Sequence, residues 1–192
     1  MKIGVLASQG AFAEHIAMLS RLEVDTVPIR LPRELSGLDG LVIPGGESTS
    51  ISKLMRNYKL TSKITNLAKE GLPIFGTCAG MILLANDVSD SPVETLGLMN
   101  IAVKRNAFGR QKDSFETLLP IPVLGKKPFP TIFIRAPRIT EVKDGVKILA
   151  RLTDDTSVAA RQGNLLATSF HPELTGDTRF HQYFLDIVNK HQ

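Results

Sequence analysis

The chain has 192 residues, 43% of them apolar and 22% charged, which suits one folded domain with a sizeable core and excludes a disordered chain. Its single cysteine excludes an intrachain disulfide, leaves too little sulfur for a thiolate zinc site and fits a reducing compartment. A net charge of +4 with no tryptophan and two tyrosines argues against a nucleic-acid binder, which usually shows a dense basic face or interleaved aromatics.

The N-terminal MKIGVLASQGAFAEH opens on a short apolar run and enters a strand-turn-helix pattern, not a secretion-signal cleavage site. KIGVLAS (2–8) reads as a buried strand, AFAEHIAML (11–19) as a helix, and VDTVPIR (24–30) as a second strand. DGLVIP (39–44) is a third strand, stopped by Pro44-Gly45-Gly46. STSISKLMRNY (48–58) and LTSKITNLAKE (60–70) have helical spacing, and Gly71 ends the second. LPIFGT (72–77) is a fourth strand, and CAGMILLAND (78–87) predicts a helix after it. This alternation implies a mainly parallel sheet with helices on both faces, an α/β three-layer sandwich. Ligands of such sheets bind beyond the carboxyl ends of the strands, so the turns after Ser8, Pro44 and Thr77 should share one rim.

The second half is β-rich, from VETLGLMNIAVKR through NLLATSF, and predicts antiparallel strands at the sheet edge. TRFHQYFLDIVNK (178–190) predicts a closing helix. There is no internal repeat and no linker long enough to separate two domains. No stretch approaches the roughly 18 apolar residues of a membrane span, so a soluble, cytoplasmic protein is expected. The basic residues are scattered except for Lys104, Arg105, Arg110 and Lys112. These read as solvated surface or as cations for an anionic ligand or partner.

Three segments carry chemistry. G-T-C-A-G (76–80) joins an apolar strand to a helix, a nucleophile-elbow arrangement in which small residues permit a sharp turn. The helix start directs N–H groups and a positive dipole end at the Cys78 sulfur, which favours the thiolate. The N–H of Ala79 is placed to meet a developing oxyanion. The elbow alone leaves a buried inert cysteine equally open. His171-Pro172-Glu173 then follows the apolar run 165–170. In an extended chain residues two apart share a face, so Glu173 can orient His171 as a base for the thiol. His15, His181 and His191 read as capped, surface or interface imidazoles. Third, P-G-G-E-S-T (44–49) lets backbone approach a ligand, with Gly46 as a second oxyanion donor and Ser48 as a possible helix cap.

Taken in this order, the three segments resemble the class I, triad-type glutamine amidotransferases, whose fold is flavodoxin-like. A-S-Q-G-A-F-A-E-H (7–15), L-V-I-P-G-G-E-S-T (41–49), G-T-C-A-G-M-I-L-L-A (76–85), R-N-A-F-G-R-Q (105–111), F-I-R-A-P (133–137) and S-F-H-P-E-L-T (169–175) are similar to the glutaminase subunits of pyridoxal 5′-phosphate synthase. The triad segments specify the class, and Q-G-A-F-A-E-H, R-N-A-F-G-R-Q and I-R-A-P specify the subfamily.

The resemblance implies hydrolysis of glutamine to glutamate and ammonia, without a cofactor or metal, and transfer of the ammonia to a barrel-fold synthase partner in a hetero-oligomer. It implies Cys78 as nucleophile, His171 as base and acid, Glu173 as its orienter, and Gly46 and Ala79 as oxyanion donors. Gly46, Glu47, Ser48, Arg105, Ile134 and Arg135 become the glutamine-binding set, and Gln9 with the first helix faces the partner near the ammonia exit. Ser8 departs from the family, whose members more often carry an apolar residue there, and the change bears on the interface rather than the triad. The Gly45-Gly46 peptide can flip at low steric cost, so partner docking is expected to assemble the oxyanion hole. The same triad serves stand-alone amidases, γ-glutamyl hydrolases and other synthases' glutaminases. A catalytically silent regulatory protein and a cysteine-based redox sensor are the readings from outside enzymology.

Overall fold

The structure, a computed structural model, describes residues 1–89, 93–107 and 114–191. The first half forms the expected elements: β1 (Lys2–Leu6), α1 (Phe12–Ser20), β2 (Asp25–Ile29), β3 (Gly40–Ile43), α2 (Ser48–Asn57), α3 (Leu60–Lys69) and β4 (Ile74–Thr77). The next element is a correction. The helix expected over 78–87 is only α4 (Ala79–Leu84), and β5 (Ala85–Val88) follows without a loop. Ala85 is already extended (φ −65°, ψ 149°), and β5 lies parallel to β6 (Met99–Lys104), with Ala85 opposite Met99. Pairing with a strand later in the chain outweighs local helix propensity here.

The remaining strands are β7 (Ser114–Leu119), β8 (Phe129–Ile134), β9 (Arg138–Val142), β10 (Lys147–Arg151), β11 (Ser157–Gln162) and β12 (Leu165–Thr168), and α5 (Arg179–Asn189) closes the fold. One sheet runs β2-β1-β3-β4-β12-β11-β9-β6-β5, with β10 paired to β11, while β7 and β8 form a separate antiparallel pair. From β2 to β12 every neighbour is parallel. β11 turns the direction, and antiparallel pairing dominates from there to the edge. The parallel centre with antiparallel strands toward one edge is the architecture expected.

Side chains along β3 and β4 alternate between two cores, as period-2 geometry requires. Leu41, Ile43 and Ile74 pack with Ile51, Met55 and Ile64 of α2 and α3 and with Met81 and Leu84 of α4. Val42 and Phe75 face the other way, onto Leu19 of α1 and Phe180, Phe184 and Val188 of α5. Phe75 is fully buried there, with its ring 5.9 Å from Phe180 and 5.6 Å from Phe184. The sheet is thus covered on both faces, which is why its central strands read as continuous apolar runs.

Candidate active site

Cys78 sits between β4 and α4 with φ 50° and ψ −102°, a conformation that L-residues rarely adopt and that marks a strained elbow. Its N–H donates to the Thr168 carbonyl of the adjacent β12 at 2.7 Å, which holds the turn in place. Gly80 permits the tight return, because a Cβ there would collide with the carbonyl oxygen of Ile43. The thiol is thus presented at the carboxyl end of a central strand. Ala79 is the first helical residue, so its N–H has no acceptor within the short helix.

β12 lies parallel to β4 with Thr168 opposite Thr77, and this register delivers the residues after Thr168 to the same rim. The His171 N–H donates to the Ile132 carbonyl at 2.8 Å, so β8 pins the turn from the other side. Glu173 is not reached by an extended chain, as the spacing suggested. Pro172–Leu174 form a 3-10 turn, a conformation that proline's fixed φ favours at its start. The turn folds Glu173 back until its Oε1 lies 2.7 Å from His171 Nδ1, leaving Nε2 for the thiol. His171 is 7% exposed and Glu173 is 4% exposed, so this contact acts away from water's screening. Burial pushes the His171 imidazole down, but hydrogen bonds with Cys78 and Glu173 outweigh it and raise its pKa to about 10. Burial likewise pushes the Glu173 carboxyl up, and the facing His15 and His171 imidazoles bring it below its usual range. His171 therefore holds a proton at neutral pH, directed by Glu173.

A cleft of about 440 Å³ opens onto Cys78 and His171. Gln9, Gly46, Glu47, Ser48, Arg105, Ile134 and Arg135 all line it, so the three predicted turns do converge. Gly45 joins them beneath the His171 ring, where a Cβ would collide with Cε1 and lie 3.4 Å from Cys78 Cβ. Ala79 and Glu173 are not part of this lining. The cap of α2 is Glu47, whose carboxylate accepts from the N–H groups of Thr49 at 2.9 Å and Ser50 at 2.7 Å. The hydrogen bond from Ser50 Oγ is the main cause that lowers the Glu47 carboxyl to about 2. Ser48 is therefore not the cap, and its buried Oγ has no partner among the described residues. Arg105 reaches Glu47 Oε1 at 3.4 Å and Thr49 Oγ1 at 3.4 Å, while Arg135 holds a left-handed φ of 41° next to Ile134, whose carbonyl oxygen is 4.0 Å from Cys78 Sγ.

Sequence reasoning missed part of the wall, including Ala11, Asn106 and Leu174. It also placed two histidines wrongly. His15 and His181 are fully buried, whereas His191 is exposed and close to Asn164 Nδ2. The signal was helical phase: His15 shares a stripe with Met18 and Leu19, and His181 with Phe184 and Leu185. Arg110, Lys112 and the segment from Phe108 through Gln111 lie outside the described residues.

The chain is 57% identical over 190 residues to the pyridoxal 5′-phosphate synthase subunit PdxT of Herpetosiphon aurantiacus, covering 97% of this chain and 100% of that one. It is also 57% identical to the PdxT of Moorella thermoacetica over 188 residues, with 98% and 100% covered. A solved glutamine amidotransferase structure superposes with a TM-score of 0.92 at 46% identity, covering 97% of this chain and 98% of its own. A putative GMP synthase component from Thermoplasma acidophilum shares the fold alone, with a TM-score of 0.72 at 20% identity over 99% of this chain and 94% of that one. The fold is thus the flavodoxin-like, class I amidotransferase one. The SNO glutamine amidotransferase family matches over residues 5–190, and the chain belongs to that family.

Proposed function

We propose that this chain is the glutaminase subunit of a pyridoxal 5′-phosphate synthase. It hydrolyses L-glutamine to L-glutamate and ammonia and passes the ammonia to a barrel-fold synthase partner in a cytoplasmic hetero-oligomer. The observation that carries the chemistry is the 2.7 Å contact between His171 Nδ1 and Glu173 Oε1 beside an elbow cysteine in one cleft. The relatives' name, together with coverage of nearly the whole chain, supports the biosynthetic assignment. No helix among the described residues is long and apolar enough to cross a membrane.

In this reading Cys78 Sγ attacks the side-chain amide carbon of glutamine. The N–H groups of Gly46 and Ala79 receive the oxyanion, and losing one such donor typically costs about 3–4 kcal/mol of transition-state stabilisation. The C–N bond breaks as His171 gives its proton to the departing ammonia, leaving a glutamyl thioester on Cys78. His171, now neutral, takes a proton from water as the hydroxyl oxygen adds to the thioester carbon. The C–S bond then breaks, releasing glutamate and restoring the thiolate beside protonated His171. Glu47, Ser48, Arg105, Ile134 and Arg135 bind the amino-acid end of glutamine.

The Ala11 N–H donates to the Gly45 carbonyl at 3.3 Å, so the turn after Gln9 touches the peptide that precedes Gly46. Gln9 and α1 form the partner-facing side, and docking there adjusts the donor set through this contact. The test is ammonia release from glutamine with and without the synthase partner, followed by glutamine-dependent pyridoxal phosphate formation. The expected result is weak or absent release alone and strong release in the complex. Full activity in the isolated chain would sink the gating idea. Glutaminase activity without any pyridoxal phosphate would favour a stand-alone amidase.

A further inference from the structure

His171 and Glu173 do not end the polar chain behind Cys78. The second oxygen of Glu173, Oε2, is buried and lacks a well-formed hydrogen bond among the described residues, yet His15 Nε2 stands 3.4 Å away. That nitrogen is also 3.0 Å from Thr77 Oγ1, on the residue before the nucleophile. The other nitrogen of His15, Nδ1, is 2.9 Å from Nε2 of His181 on α5. Both imidazoles are fully buried. One carboxylate thus lies between two imidazoles, and the one at the back is braced by a third.

Proton placement along this chain has one favourable arrangement. A bare lone pair on His15 Nε2 would face the Glu173 carboxylate and be repelled, whereas an N–H there is attracted to it. With the proton on Nε2, His15 Nδ1 is an acceptor, and His181 Nε2–H must donate to it. The atom left unpaired is then His181 Nδ1, as an acceptor, which is the less costly orphan. Burial lowers the basicity of both His15 and His181, which favours their neutral forms and with them this tautomer chain. The reverse order would leave a buried N–H of His181 without an acceptor and turn a lone pair toward an anion.

We propose that His15 is a positioning residue for the glutaminase site: its Nε2–H edge, oriented by His181 and seated on Thr77 Oγ1, faces Oε2 of Glu173 at 3.4 Å and holds that carboxylate electrostatically, so that Oε1 keeps His171 in the direction that serves Cys78. This rests on the reading of Cys78, His171 and Glu173 given above. His15 does not line the cleft and touches no substrate. The arrangement repeats the logic by which Glu173 orients His171, one layer further in. It also joins α1, whose N-cap residue Ala11 lines the cleft, to the catalytic carboxylate through one side chain.

The test uses the full chain with its synthase partner and compares wild type with His15→Leu, His15→Asn and His15→Gln. A glutamine side chain places an amide N–H near the former Nε2, whereas asparagine reaches only the Nδ1 position. The expectation is that kcat for ammonia release falls roughly 10- to 100-fold in the Leu and Asn variants, with KM for glutamine within about 2-fold, and that Gln recovers most of the loss. A folded Leu variant with wild-type kcat, or a Gln variant as slow as Leu, would overturn the proposal. If His15→Leu fails to fold, equal kcat in Asn and Gln overturns it and faster Gln supports it. If the wild-type complex releases no ammonia, the glutaminase reading itself has failed. The rate of Cys78 alkylation by iodoacetamide in the same proteins then decides the positioning role. Wild type and Gln reacting alike and faster than Asn and Leu supports it, and equal rates overturn it.

Discussion

The two halves of the molecule reach the same cleft by different physics. Residues up to Leu84 build strand, turn and helix from local periodicity, and the parallel order of β1, β3 and β4 puts Gln9, Gly46 and Cys78 at one rim. Residues beyond Ala85 pair mostly with antiparallel neighbours, β10–β11 and β11–β12 across short turns, and of these strands β12 enters the parallel centre by pairing with the distant β4. That strand carries His171 and Glu173 to Cys78. The turns that hold Cys78 and Gly46 therefore belong to a locally encoded scaffold, while His171 and Glu173 depend on a long-range pairing between β12 and β4. Cys78 and the His171–Glu173 contact therefore meet only once β12 has paired with β4.

Perturbing the delivered half is expected to have the largest effect. His171→Asn should lower ammonia release by about 10³- to 10⁴-fold while leaving the fold intact, checked by steady-state kinetics and circular dichroism. The same variant tests the charge state of the pair. The folded His171 pKa is raised to about 10 by its hydrogen bonds to Cys78 and Glu173, which together outweigh burial. A raised pKa contributes stability that is fully present below the unfolded value of 6.5 and is lost as pH rises through about 10. Urea midpoints of wild type and His171→Asn should therefore converge between those limits. A constant gap across that window would contradict the protonated resting state.

Perturbing the seam between the halves should cost stability before it costs chemistry. Phe75 lies on β4, and its ring meets Phe180 and Phe184 of the final helix. Phe75→Ala should destabilise the protein by about 3–5 kcal/mol in urea unfolding, because the rings around it cannot collapse fully into the space. A loss below about 1 kcal/mol would mean that the first half holds together without the second. Ser48 marks the other extreme. Its buried hydroxyl has no partner among the described residues, so Ser48→Ala should shift stability by less than about 0.5 kcal/mol. Its KM for glutamine should nevertheless rise several-fold, since Ser48 is part of the cleft wall. A stability loss without a KM change would reassign Ser48 to a structural role.

Much of this protein was determined by sequence alone. The run of elements from Lys2 to Thr77 follows from apolar periodicity and glycine stops, which are local properties of the chain. The elbow at Cys78, the glycine turn after β3 and the His-Pro-Glu segment were legible because small residues and prolines restrict the backbone wherever they occur. Tertiary structure alone decided the rest. It ended α4 after Leu84, because the following residues pair with β6. The Glu47 cap and the 3-10 turn that folds Glu173 onto His171 are, by contrast, local contacts that the residue pattern did not single out. Tertiary structure also buried His15 and His181 behind Glu173, a placement that depends on which helices cover one face of the sheet. Local pattern specifies what a segment can form and which side is apolar. The partner a buried polar group finds is set by elements far along the chain, and that choice appears only once they have packed.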